Sequence, residues 1–274
     1  MSTSTERVTP RSLRGWPMPA GEGSKYERGQ VLVVGGSASA PGAAILAAES
    51  ALRVGAGRLT LAVDDAVAAH VAVAVPEGAV LPLGEAHDEY GRADAALIGP
   101  GLDDADEALA VLERVVPKLG PKAVVVLDAF ALGVLPRAGV GAALRGRLVL
   151  TPNVEEAGLL LGRDLDDDLS GLGEIAARYG AVVTCFGTVA APDGRRWSID
   201  VDSPHLGTSG SGDVLAGAVT GLGARGAAPD QAAVWGTFLH HRAGQLAGSP
   251  PGAIGYLARD LAGALPTALR ELEE

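Results

Sequence analysis

Short unbroken apolar runs alternate along this chain with longer stretches whose apolar positions recur at helical spacing. The run QVLVV at 30–34 has almost no polar position to turn toward water, which is the mark of a strand covered on both faces. Gly35-Gly36-Ser37 ends it. Residues 42–54 (GAAILAAESALRV) then read as a helix whose small residues lie on the face meeting the sheet. Gly55-Ala56-Gly57 stops that helix, and 58–63 is the next strand. The connection is long enough for a parallel crossover, so this is one βαβ unit. The alternation continues with strands at 95–98, 123–127, 147–150 and 181–185, and helices at 107–119 and 155–161. Residues 197–200 follow a Pro192-Asp193-Gly194 turn and read as an edge strand. The last part is helical, over 214–222, 229–247 and 255–274. The expectation is a three-layer α/β/α domain with a mainly parallel central sheet over 29–274, after an irregular leader at 1–28. Ligands of such sheets bind beyond the carboxyl ends of the strands, where the Gly, Pro, Asp and Asn signals sit.

Composition narrows the picture. Only 4% of the residues are aromatic, so the core is built from small aliphatic side chains and must pack closely. The net charge is −11 and the basic residues are scattered, which argues against a nucleic-acid partner. Cys185 is the only cysteine, so no intrachain disulfide forms, as suits a reducing cytoplasm. The first 25 residues lack the apolar centre of a signal peptide, and no apolar run reaches the ~20 residues that span a bilayer. A cytoplasmic protein without a membrane partner is expected. The Ala-rich helices give modest grounds for a homo-oligomer.

The densest chemical signal is GTSGSGDVLAG at 207–217. Glycine lets the backbone approach a ligand closely, and successive amides at a helix start form an anion site. Asp213 falls in the first helical turn, beside the place a phosphate would take. A carboxylate there suits removal of a proton from a hydroxyl that attacks a phosphoryl group. Helix capping alone accounts for Ser, Thr and Asp at such a place, but the run is denser than capping requires. It is neither a P-loop nor a dinucleotide GxGxxG. Asp128, at a strand end, suits either a water-mediated Mg²⁺ contact or a cap. Asn153 and Glu156 suit contact with substrate or metal, or capping. His240 and His241 point in different directions on a helix, no His pair has zinc spacing, and no protein-built metal site is expected. Cys185 ends an apolar strand and reads as core.

Taken in order, these segments resemble the ADP/ATP-dependent NAD(P)H-hydrate dehydratases, a branch of the ribokinase-like superfamily. The matching stretches are VLVVGGSASAPGAAILAAESALRVGAGRLTLAV, VAVPE, ALIGPGL, VLDAFAL, LVLTPNVEE, GTSGSGDVLAGAVTGLGARG and AAVWGTFLHHRAG. The resemblance implies a ribokinase-like domain that repairs the hydrated cofactors NADHX and NADPHX with ADP or ATP. The ring hydroxyl is phosphorylated, and loss of phosphate restores the double bond. It implies that Ala43, Gly101 and Asn153 contact the hydrated cofactor and that Asp213 acts on its hydroxyl. It also implies that Gly187, Gly210, Ser211 and Gly212 hold the nucleotide and its phosphates, which carry Mg²⁺. Three positions depart from the family pattern: Asn153 for a usual His, Phe186 for a Lys before Gly187, and Phe130 for a second Asp. The companion epimerase domain of the family is not expected within 28 leader residues. Two other readings share the anion site: a vitamin-precursor kinase of the same superfamily, and a nucleotide-binding relative without turnover.

Overall fold

A computed structural model describes residues 5–19, 23–85, 87–166, 168–200, 206–248 and 255–273. Among these residues ten strands form one sheet: β1 (Thr5–Arg7), β2 (Gln30–Val34), β3 (Arg58–Val63), β4 (Gly78–Pro82), β5 (Ala95–Ile98), β6 (Val124–Leu127), β7 (Leu148–Leu150), β8 (Ala181–Cys185), β9 (Thr188–Ala190) and β10 (Arg196–Ser198). Their spatial order is β1-β10-β9-β8-β7-β6-β5-β2-β3-β4. From β8 to β4 all neighbours are parallel, while β9 runs antiparallel to β8 and to β10. The chain winds outward from β2 through β3 to β4, then from β5 through β8 in the opposite direction. The reversal between β2 and β5 is the topological switch point, where such sheets open a crevice.

The helices are α1 (Pro10–Arg14), α2 (Pro41–Arg53), α3 (Asp65–Ala74), α4 (Ala105–Val115), α5 (Phe130–Val134), α6 (Gly141–Leu144), α7 (Val154–Leu161), α8 (Leu172–Tyr179), α9 (Ser211–Ala224), α10 (Pro229–Ala247) and α11 (Ala258–Glu273). Side chains alternate across the strands, so one face of the sheet collects Val31, Val33, Leu61 and Val126 with α2, α9, α10 and α11. The other collects Leu32, Val34, Ile98 and Leu127 with α4, α7 and α8. Both faces are covered, which is why the strand runs carry so few polar positions. Among the described residues, no helix is long and apolar enough to cross a membrane.

The small residues bring helix backbones together as well as packing helices on the sheet. A Cβ on Gly217 would collide with the carbonyl of Ala47, and one on Gly221 with that of Ala51. Helices α2 and α9 therefore touch backbone to backbone, along a stripe that includes the buried Ala44 and Ala48.

The leader differs from expectation. Residues 1–4 and 20–22 lie outside the described residues, but part of the leader is regular, a strand and a short helix. β1 pairs with β10 in parallel, so β1 is the edge strand and β10 is not. A Thr9–Ser12 capping box with Pro10 at the first position starts α1. Trp16 stacks on Trp197 at 6.1 Å, and its carbonyl accepts from Trp235 Nε1 at 3.0 Å. Residues 64–82 are assigned no element by the sequence pattern, because Ala and Val recur there without a clear period. They form α3, capped by Asp64, and β4.

Candidate active site

The crevice at the switch point is made by two loops stitched together. Gly36 N–H donates to the carbonyl of Pro100 and Ser37 N–H to that of Gly101, both at 2.8 Å. Gly99 adopts φ +127° because its backbone runs against the Asp128 carbonyl, leaving no room for a side chain. Ser37 and Ser39 both donate to the carboxylate of Asp103, which holds that acid below its ordinary range. Gly101, at φ +70°, faces the first turn of α2: a Cβ there would sit 3.2 Å from the Cβ of Ala43. The two positions expected to touch one ligand thus lie side by side.

Helix α9 begins next to this crevice. Gly210 is its N-cap residue in a left-handed conformation, φ +88°, and no side chain caps the helix. A Cβ on Gly210 would lie 3.8 Å from Oδ2 of Asp213 and closer still to Leu46 of α2. Ser211 N–H donates to the Thr208 carbonyl at 3.1 Å, so this amide closes the turn. Among the described residues, the amides of Gly210, Gly212 and Asp213 have no acceptor. These are the amides left open to an anion, while the Ser211 amide closes the turn and its hydroxyl points inward to His240.

Three carboxyls gather at the same edge. Burial raises Asp213 to about 6. Asp128 is raised to about 7, first by burial and then by the charge of Asp213. Thr151 opposes this by donating its hydroxyl to Asp128 Oδ1 at 2.8 Å. Glu156 is also raised by burial, and its charge acts on Asp128 and on Cys185, whose thiol burial pushes up to about 11. Cys185 is therefore a protonated core residue. The backbone just after Asp128 is unusual, with Ala129 at φ 51°, and strain of this kind clusters at functional sites. Among the described residues, no group of three or more His, Cys, Asp or Glu converges to hold a metal.

Two expected ligand residues have clear structural work. Asn153 caps α7, its Oδ1 accepting from Glu156 N–H at 2.8 Å while Glu156 Oε2 accepts from Asn153 N–H at 2.9 Å. Its side-chain NH₂ remains for a ligand. Phe186 and Gly187, at φ 49° and 79°, form the two-residue turn joining β8 to β9, where Cys185 pairs with Thr188. The Gly187 carbonyl accepts from Ile199 N–H at 2.8 Å, and the Phe186 ring is 73% exposed. Sequence reasoning missed Thr151, although it stands two residues before Asn153 at a strand end. It weighed His240 only as a metal ligand, whereas the apolar stripe of α10 places it inside.

This arrangement can bind an anion at the start of α9 and present a carboxylate of raised basicity beside it. The model of the NAD(P)H-hydrate dehydratase family matches residues 31–267. The chain belongs to this family. A dehydratase of Xanthomonas campestris, described as ADP-dependent and acting on (S)-NAD(P)H-hydrate, is 40% identical over 97% of this chain and 96% of its own length. The bifunctional NAD(P)H-hydrate repair enzyme of Moorella thermoacetica is 35% identical over 94% of this chain. The chain spans about half of that relative's length, 52%. A Bacillus subtilis ADP/ATP-dependent NAD(P)H-hydrate dehydratase, co-crystallised with ATP and Mg²⁺, superposes with a TM-score of 0.82 over 99% of both chains at 25% identity. The three-layer architecture with its mainly parallel sheet is thus that of the NAD(P)H-hydrate dehydratases. The expected resemblance and fold class hold.

Proposed function

We propose that this chain dehydrates the S epimer of NADHX and NADPHX to NADH and NADPH in the cytoplasm, consuming ADP or ATP, with Asp213 as the base. The observation that carries this is the placement of Asp213, a carboxyl raised to about 6, in the uncapped first turn of α9. A base titrating near there is ionised at neutral pH yet basic enough to accept a proton from a hydroxyl.

In the first step the ring hydroxyl gives its proton to Asp213, and its oxygen bonds to the terminal phosphorus of the nucleotide. The bond from that phosphorus to the nucleotide breaks, leaving AMP from ADP or ADP from ATP. The amides of Gly210, Gly212 and Asp213 stabilise the charge that develops on the phosphoryl oxygens. In the second step the carbon–oxygen bond to phosphate breaks as the ring nitrogen donates its electron pair. Loss of the neighbouring ring proton then restores the double bond. Ala43 and Gly101 line the place of the hydrated ring, and the Asn153 side-chain NH₂ can donate to it. Gly187, in the turn between β8 and β9, would approach the nucleotide. Mg²⁺ brought in with the nucleotide would supply charge neutralisation for its phosphates. The free amides of α9 suit an anion, so the metal is expected to arrive with its nucleotide.

The test mixes the protein with NADHX, Mg²⁺ and either ADP or ATP and follows absorbance of the reduced nicotinamide. Recovery with release of free phosphate is expected. A phosphorylated product without recovery would favour a kinase, and nucleotide binding without turnover a non-catalytic relative. Asp213→Asn should lower the rate by about 100-fold or more while thermal unfolding stays cooperative, in the range seen when a catalytic base is removed. Wild-type rates in that variant would remove Asp213 from the role.

A further inference from the structure

Ser211 sits inside the anion loop but turns its side chain away from the crevice. Its hydroxyl is 3.0 Å from Nε2 of His240 on α10. Both residues are buried, at 6% and 5% exposure. A buried polar pair costs desolvation on both sides, and Ala with an apolar partner would fill the same space without it. The surroundings show what the pair can do. Helix α10 lies close against the α9 backbone, since a Cβ on Gly236 would fall 3.2 Å from Val219 Cα. One turn beyond Gly236, on the same face, His240 reaches the first residue of α9. The neighbouring Thr237 shares a buried hydrogen bond of 2.7 Å with Thr184 of β8, the strand that leads into the Phe186-Gly187 turn. α10 is therefore tied both to the start of α9 and to β8 through buried polar contacts. Burial, and His241 next to it, drive the His240 proton off, down to about 3. The ring stays neutral and puts no charge behind the phosphate.

We propose that His240 is a positioning residue for phosphoryl transfer: through the Ser211 hydroxyl it fixes the first turn of α9, and so the placement of the Asp213 carboxylate relative to the Gly210 and Gly212 amides. This rests on the reading that the start of α9 holds the nucleotide phosphate. Misplacing a reacting group by about 1 Å can cost roughly 100-fold in rate. The pair therefore acts on kcat more than on nucleotide binding.

The experiment measures kcat, nucleotide KM and thermal midpoint for the full chain and for Ser211→Ala, His240→Leu and His240→Gln, at saturating hydrate. Ser211→Ala and His240→Leu should each lose about tenfold or more in kcat, with nucleotide KM changing less than about threefold. The double variant should be no worse than the poorer single. His240→Gln should recover most of the rate, because its terminal amide reaches the position of Nε2. Two results overturn the proposal: wild-type kcat in Ser211→Ala, or a Gln variant no better than the Leu variant when both remain folded. Ser211→Ala alone decides it if the His240 variants fail to fold. Absence of turnover in the wild-type chain would instead remove the functional reading, and the proposal with it.

Discussion

At the scale of single residues, the acids of the crevice are a cost to folding as well as a means of catalysis. Asp128 has an ordinary carboxyl value of 3.8 and is raised to about 7 in the folded chain. Below the lower value both states are protonated and the group is silent. Between the two, the unfolded chain ionises first, so stability falls as pH rises and levels off above about 7. Asp128→Asn removes this penalty and keeps a hydrogen-bond partner for Thr151. Its midpoint should match wild type at pH 4 and exceed it at pH 8, with ~2–4 °C for each kcal/mol recovered in a chain of this size. Thermal scans at the two pH values check this, and a lower midpoint at pH 8 would show that the buried carboxylate is stabilised by something other than Thr151. The sequence marked Asp213 because a glycine-rich run leading into a helix is a local signal. It left Asp128 open between metal contact and capping, because its burial and its proximity to Asp213 arise from segments far apart in the chain. Ser211 shows the same limit. Its residue type fits an anion loop, and only the folded turn reveals that its amide is already occupied.

At the scale of elements, the site depends on how closely α2 and α9 approach. Ala43 lies in the first turn of α2 and Asp213 in the first turn of α9, and the two helices meet where Gly217 faces the Ala47 carbonyl. Gly217→Ala must move one helix away from the other. Overpacking of this kind typically costs about 1–3 kcal/mol. The displaced segment carries Asp213 one helical turn away, so the rate should fall more than the folded fraction does. Gly173→Ala in α8 is the matched control, since a Cβ there meets nothing within 4 Å. It should leave both rate and midpoint near wild type, as chemical denaturation followed by initial-rate measurement would show. Equal effects of the two substitutions would mean that the α2–α9 contact does not set the site. The chain's small residues were legible as a demand for close packing, and the strands as buried parallel ones. Which surfaces met was not legible, because a stripe of Ala and Gly suits a helix and a sheet equally. The leader was misread for a different reason. Its capping box was present at Thr9–Ser12, but β1 is only three residues long and is defined by its partner β10 rather than by its own pattern.

At the scale of the whole molecule, topology and charge pull in different directions. The winding of the sheet gathers loops from both halves of the chain at one edge, so a single crevice receives Ala43, Gly101, Asp128 and the start of α9. The order of strands and glycine-rich ends indicated a site at this edge of the sheet, while Ala43 and Gly101 were implied by the family resemblance and Asp128 was left open. The net charge of −11 opposes the polyanionic nucleotide and dinucleotide at long range. The attraction offered by helix amides fades beyond about one turn, so it acts only after the ligand has arrived. Salt separates these two effects. The screening length falls from ~30 Å near 0.01 M to ~8 Å at 0.15 M, which hides distant charges and spares contacts in the crevice. Raising ionic strength across that range at fixed free Mg²⁺ should therefore lower the nucleotide KM, by roughly a few-fold, through faster association. kcat should hardly move, because the groups that act on the bound phosphoryl lie well inside the screening length throughout. A nucleotide KM that instead rises with salt would mean that basic side chains near the mouth outweigh the net charge, and that nucleotide is drawn in by a local field as well as held by the amides of α9.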